Sequence, residues 1–328
     1  MPNLQLTLAC GPYAHTHALM TDRVPVEGID LTFLPIESPP EIFTRMLANG
    51  AFDACEMSLS HYFRHRRSGD FPFVAIPVFP LRKFRHSFIV INTDSSIRVP
   101  GDLNGRRVGV MEYSQTAAVW IRGILQDEYG VEAETIRWFT GGVNKPGHPQ
   151  ALQSRPESAV RIEHIGEART LNDMLVSGEL DAVVGARLPR SLGVVPHVRR
   201  LFEDYRHVEQ DYFRRTRIFP IMHCIVLREM LYRDKPWIAE SLFKAFVASR
   251  DLGWAAMHDD GNTRLMLPWL AADVEELRAL CGGNPWWYGV EPNRHVLEAV
   301  ARYLFRERFV REPLDIDELF APIVTVSE

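Results

Sequence analysis

Cysteine is scarce in this sequence and basic charge is not in excess, and each shortage removes a class of function. The four cysteines, Cys10, Cys55, Cys224 and Cys281, are dispersed without C-x-x-C spacing. That pattern offers neither a structural zinc site nor a disulfide framework, so they read as small buried hydrophobes of a reducing compartment. Lys and Arg number 37 against 42 Asp and Glu, a net charge of −5, where a nucleic-acid binder would carry a basic domain or stripe. No apolar run reaches the ~18 residues of a membrane span. The opening residues alternate, with Leu4, Leu6 and Leu8 set against Asn3, Gln5 and Thr7; a secretion leader would have a basic start and an unbroken apolar stretch. The G-x-G-x-x-G, P-loop, H-E-x-x-H and G-x-S-x-G motifs are all missing, which leaves nucleotide cofactors, zinc proteolysis and serine hydrolysis without support. The expected protein is cytoplasmic, with no nucleic-acid or membrane partner, and homo-oligomerisation is left open.

What is present is an ordinary globular chain of 328 residues, 46% hydrophobic and 24% charged, long enough for about two domains. Strand-like runs at Leu4–Ala9, Ile29–Pro35, Phe52–Glu56, Phe73–Phe79 and Ser87–Asn92 alternate with helical runs opening at Ser38 and Leu59. A second such rhythm follows Pro100-Gly101: a strand at Arg107–Met111, a helix over Thr116–Tyr129 and strands at Thr135–Phe139 and Leu180–Val184. Gly141–Pro156 reads as a long loop. A strand at Phe219–Leu227 and a long helix over Pro236–His258, with Trp237, Leu242, Phe246, Leu252 and Trp254 on its apolar side, lead into a more helical end. This rhythm implies an α/β protein with mixed, mostly parallel sheets flanked by helices. The simplest layout is a two-lobed type II periplasmic-binding-protein-like fold: residues 1–99 and 202–328 form a discontinuous lobe, residues 100–201 an inserted one, and a ligand cleft lies between them.

Five clusters fall at strand ends or helix starts, where α/β folds place ligands. Tyr13-Ala14-His15-Thr16-His17 sets two histidines beside a tyrosine, in position for a ligand or a metal. Glu56-Met57-Ser58 aims a carboxylate and a hydroxyl from a strand end, although Ser58 is also an ordinary helix cap. Arg82-Lys83-Phe84-Arg85-His86 gathers cations in an acidic chain, a pattern suited to clamping a carboxylate. Glu112-Tyr113-Ser114-Gln115-Thr116 sits at a strand-to-helix junction that can receive an anion. The fifth, Ile218-Phe219-Pro220-Ile221-Met222-His223, places a histidine in an apolar stretch, where a satisfied core histidine is equally common.

Together these stretches resemble the 4,5-dihydroxyphthalate decarboxylase family. The resemblance rests on Phe52–Ser58, Pro77–His86, Leu103–Gly109, Glu112–Ala117, Trp120–Gly123, Gly178–Ala182, Ile218–His223 and Pro236-Trp237. It implies a cofactor-independent enzyme that removes carbon dioxide from a small aromatic carboxylate, with no metal required. On that footing His86 or His223 is the expected acid, and Glu56 or Glu112 the base or its orienting partner. Arg82 and Arg85 are expected to grip a carboxylate, with His15, Ser58, Tyr113, Ser114, Gln115 and Thr116 as further substrate contacts. Two rivals stand beside this reading: a non-catalytic cytoplasmic binding protein or sensor for an aromatic acid, and a metal-assisted enzyme using His15 and His17.

Overall fold

The structure is a computed structural model and describes residues 2–147, 156–259, 261 and 265–323. In chain order its elements begin β1 (Leu4–Cys10), α1 (His17–Met20), β2 (Ile29–Pro35), α2 (Pro39–Asn49), β3 (Ala54–Ser58), α3 (Leu59–His65) and β4 (Phe73–Ile76). Next come β5 (Ile89–Asn92), β6 (Arg107–Val110), α4 (Thr116–Tyr129), β7 (Arg137–Thr140), β8 (Arg161–His164), α5 (Leu171–Val176), β9 (Ala182–Val184) and β10 (Val198–Arg200). The last are α6 (Tyr205–Thr216), β11 (His223–Arg228), α7 (Glu229–Asp234), α8 (Trp237–Met257), α9 (Leu270–Cys281) and α10 (Arg294–Arg306).

The chain divides into two compact units. The first comprises Met1–Arg82, Ile221–Leu297 and Asp315–Glu328, and the second Lys83–Pro220 and Glu298–Leu314. The second unit is wider than the 100–201 segment expected from the sequence, for two physical reasons. Strand β5 pairs antiparallel with both β9 and β10, so it belongs to the second sheet. Helix α10 is tied to α4 by a buried Arg122–Glu307 ion pair and by Tyr303 lying against Gly123.

In the first unit the strands run in the order β2-β1-β3-β11-β4, with β1 parallel to β2 and β3, and β11 antiparallel to β3 and β4. All of β3 is buried, as are Cys224–Leu227 of β11, which is why the β11 run is continuously apolar rather than alternating, while β3 buries Glu56 and Ser58 among its apolar residues. In the second unit the order is β10-β5-β9-β6-β7-β8. Its sheet buries both faces: Ile89, Ile91, Ala182 and Val184 enter one core, and Val90 and Val183 the other, as the two-residue repeat of a strand requires. Two mixed sheets flanked by helices are the architecture that the sequence implied; the expected parallel majority holds in the second sheet, three pairings against two, but not in the first, where β11 inserts antiparallel between β3 and β4 and makes the count two against two.

Proline and glycine set the ends. Pro39 and Pro40 open α2 behind Ser38, and Gly50 closes it in the left-handed region at φ +55°. Pro77 and Pro80 lack the N–H that a strand ladder needs, so β4 stops at Ile76, short of the expected Phe79. Pro220 likewise delays β11 until His223. The apolar side expected for α8 is corrected: Leu242 and Phe246 are fully buried, but Trp237 and Leu252 are 42% and 41% exposed. Of the expected loop Gly141–Pro156, residues 148–155 lie outside the described residues.

Candidate active site

The first unit builds a polar centre out of strand register. Glu56 and Ser58 are two apart on β3 and so share a face; β11 sets His223 opposite Ser58 and Ile225 opposite Glu56. His223 is therefore the diagonal cross-strand neighbour of Glu56, within reach of a long side chain. Its Nδ1 lies 2.5 Å from Glu56 Oε1. Tyr13 Oη donates to that same oxygen at 2.8 Å, and the Gly11 N–H donates to Oε2 at 2.9 Å. Cys10 Sγ, one strand over, lies 3.5 Å from Oε2.

Glu56 is fully buried. Burial pushes its carboxyl group up, yet hydrogen bonds from His223, Gly11 and Tyr13, with the charge of His223, outweigh that and hold it below the ordinary carboxylate range. An ionised carboxylate only accepts, so Nδ1 of His223 must be the donor, and a neutral His223 carries its lone pair on Nε2. No hydrogen bond among the described residues occupies that nitrogen, and the side chain is 13% exposed. Phe43 meets the ring edge-on at 5.1 Å. Burial, the Glu56 charge and the hydrogen bond to it push the Tyr13 phenol upward, so it stays protonated as a donor.

His15 borders the centre. Its ring stacks on Tyr13 at 5.2 Å and lies 5.3 Å from Trp286, while Nε2 meets the Pro80 carbonyl at 2.8 Å. Burial lowers its pKa to about 4. It is thus neutral and donates to Pro80, a fixed wall with Nδ1 as its only acceptor. No group of three His, Cys, Asp or Glu side chains is placed to hold a metal among the described residues.

The other expected residues are placed as follows. Arg82 is 3% exposed and turned into the protein, donating to the Trp287 carbonyl at 2.5 Å and to Asn293 Oδ1. Ser58 lies 3.4 Å from Ser60. Arg85, His86 and Glu112–Thr116 belong to the second unit. The Arg85 guanidinium lies 4.9 Å from the Phe88 ring centroid. His86, 1% exposed, is ringed by Phe202 and Tyr212 at 5.3 and 5.2 Å and by Tyr129 at 6.4 Å. Burial and the Arg215 charge lower its pKa to about 4. Glu112 accepts from Ser114, and Thr116 is buried at the start of α4. Gln115 occupies the N-cap position, without a capping hydrogen bond from its side chain. Tyr113 is a stacking platform, its ring centroid 3.7 Å from the Arg122 guanidinium. The structure thus brings Glu56, His223, His15 and Ser58 into one unit around Tyr13. Tyr13 stood in the first cluster beside the two histidines but not among the expected site residues, and Gly11 and Phe43 were in neither; Gly11-Pro12-Tyr13, directly after a strand, was the available signal for the first two.

Two mixed sheets with this topology define an α/β protein of the two-lobed periplasmic-binding-protein-like class. The periplasmic aliphatic sulphonate binding protein SsuA of Escherichia coli superposes with a TM-score of 0.54 at 14% identity, covering 99% of this chain and 94% of that one. A putative periplasmic sulfonate-binding protein SsuA from Methylobacillus flagellatus KT gives 0.53 at 13% identity, with 98% and 92% covered. A Candida albicans protein with the generic periplasmic binding protein fold gives 0.51 at 10% identity, with 100% and 99% covered. At these identities the likeness shows the fold alone. No protein-family model matches the chain. Sequence relatives carry it further. The 4,5-dihydroxyphthalate decarboxylase of Comamonas testosteroni is 36% identical over 323 residues, 98% of each chain. That of Pseudomonas putida is 38% identical over 215 residues, 65% of this chain and 83% of its own. The chain belongs to the 4,5-dihydroxyphthalate decarboxylase family, a family of carboxy-lyases.

Proposed function

We propose that this chain decarboxylates 4,5-dihydroxyphthalate to protocatechuate without a cofactor, and that His223, held by Glu56, carries the proton. The observation that carries the assignment is the ionised, fully buried Glu56 accepting from Nδ1 of His223. In this substrate each carboxylate is para to a hydroxyl. Nε2 of His223 takes the phenol proton, and the charge so released flows through the ring to the carbon bearing the carboxylate. That carbon takes up a proton from solvent, the bond to the carboxylate breaks, its electron pair returns to the ring, carbon dioxide leaves, and the His223 imidazolium returns its proton to the phenolate. Overall, one proton is consumed for each carbon dioxide released.

Glu56 fixes the tautomer and stabilises the imidazolium as it forms, the part a buried carboxylate plays in other histidine dyads. Ser58, beside His223 in register, and the His15 wall are the first-unit contacts this reading gives the substrate. It assigns no chemical step to His86, Arg82 or Glu112, whose polar groups are enclosed or turned to protein partners. The four buried free thiols suit a reducing cytoplasm, and the reading puts the enzyme there; cell fractionation tests that part.

The test of the activity is incubation with 4,5-dihydroxyphthalate, following carbon dioxide and protocatechuate in wild type and His223→Ala. Wild type should turn over, with chelator present or not, and the variant should lose the ~10²–10⁴-fold typical of a general acid–base group. Tight binding without turnover in wild type would mean a binding protein. A variant near the wild-type rate would remove His223 from the chemistry.

A further inference from the structure

A cavity of the first unit, about 360 Å³, is lined by the loop that carries Tyr13 and by α8. Its volume falls at the small end of the range for small-molecule pockets. Leu252, Met257 and Leu265 give it apolar walls, while Arg23, His17 and Tyr13 supply the polar part. Arg23 gets there by a local turn: Asp22 takes the left-handed conformation at φ +54°, and the N–H groups of Arg23 and Val24 both return to the Ala18 carbonyl of α1. Among the described residues the Arg23 guanidinium has no ion pair or hydrogen bond, and the His17 ring has none either. The contrast with another surface hollow of the first unit, lined by Trp237, is informative, because there Lys244 is already neutralised by Glu240 at 2.7 Å.

An unneutralised guanidinium at the rim of an apolar pocket, with an imidazole beside it, matches a ligand with an apolar body and one anionic end. The floor of the pocket is mechanically tied to the dyad. Helix α8 touches the loop directly: a Cβ at Gly253 would lie 2.8 Å from the Ala14 carbonyl and 3.1 Å from His15 Cα. Tyr13 lines the cavity while its hydroxyl bonds Glu56 Oε1, the oxygen that also takes His223 Nδ1. We propose that this pocket is an effector site for a small aromatic or aliphatic monocarboxylate, and that its occupancy adjusts the Glu56–His223 pair through Tyr13. The regulatory half of this inference rests on the role proposed for that pair; the binding half does not.

The probe is benzoate, which lacks the ring hydroxyl that the proposed chemistry requires. Calorimetric titration should show binding to wild type and to His223→Ala. Binding should weaken about tenfold in Arg23→Ala, the scale of one charge-assisted hydrogen bond. In Ala256→Phe, which fills a partly exposed wall without touching the dyad, it should be lost. In a ¹⁵N spectrum, benzoate should shift the His223 ring resonances of wild type but not those of Tyr13→Phe. Affinity unchanged in both Arg23→Ala and Ala256→Phe, or abolished by His223→Ala, would place benzoate elsewhere and overturn the site. Binding that leaves the His223 resonances unmoved would overturn the coupling. Because neither readout requires turnover, an enzyme inactive on dihydroxyphthalate would discredit the proposed activity and the regulatory half with it, and leave the binding half standing.

Discussion

At the scale of single residues, the unusual feature is a carboxylate kept charged with no access to water. Removing the charge from Glu56 and removing one of its donors should have different consequences. Glu56→Gln keeps the shape, but its amide cannot accept from Tyr13, Gly11 and His223 together, so the tautomer of His223 is no longer imposed. A loss of up to ~10⁴-fold in kcat is expected, the scale seen when a dyad carboxylate becomes an amide. Tyr13→Phe removes only one hydrogen bond, and about a tenfold loss follows from the usual worth of a bond to a charged group. The pH profile separates positioning from mere support. Tyr13 helps hold the Glu56 carboxyl down, so without it that carboxyl protonates at higher pH. The acid limb of kcat/KM should therefore move upward in Tyr13→Phe. A profile lowered uniformly, with its limb unmoved, would show that Tyr13 merely supports the loop.

At the scale of elements, close packing turns ordinary helix propensity around. Replacing a helical glycine by alanine usually stabilises by about 1 kcal/mol. Gly123 lies in the fully buried stretch of α4, and a methyl there would overlap the Tyr303 ring. That ring is 1% exposed and meets Trp120 edge-on at 5.5 Å, so it has nowhere to retreat. Overpacking of this kind costs about 1–3 kcal/mol, and Gly123→Ala should lower the denaturant midpoint; a raised midpoint would mean that Tyr303 can swing aside. Elements of this kind were also the ones the sequence disclosed best. Strand β2 and helix α4 match their expected bounds because two-residue alternation and a terminal glycine are local signals. The polar edge strand β8, the single turn α1 and the short α7 lack such patterns and were not foreseen. The site divides in the same way. Glu56 and Ser58 could be read from one strand, but the pairing of Glu56 with His223 depends on the antiparallel register of segments 167 residues apart. The inward turn of Arg82 depends on Asn293, which no local motif announces. Basic clusters look alike in sequence whether they face a ligand or a carbonyl.

At the scale of the whole molecule, buried neutral histidines set the response to acid. His15 and His86 have pKa values lowered to about 4, and His61 to about 3, burial being the largest cause for each. The ordinary value for each is 6.5. A base whose pKa is lower in the folded state binds fewer protons there than in the unfolded chain, so stability rises with pH across the gap. The contribution is complete above about pH 6.5 and is lost as pH falls toward 4. Glu209 and Glu307, raised mainly by burial, act in the opposite sense and temper the slope. His86 is the cleanest probe, because three aromatic rings pack against it, Arg215 is the one charge acting on it, and neither ring nitrogen has a hydrogen-bond partner among the described residues. A displacement from 6.5 to about 4 is worth on the order of 3 kcal/mol, a large part of the stability of an ordinary domain. His86→Phe fits the same cage and cannot titrate. Its unfolding free energy should therefore fall less steeply than wild type between pH 6.5 and 4, by close to one proton in the linkage slope, while the two differ little in slope above pH 7. Denaturant titrations at half-unit pH intervals measure this directly. Parallel curves for the two proteins would show that His86 does not stay neutral in its cage.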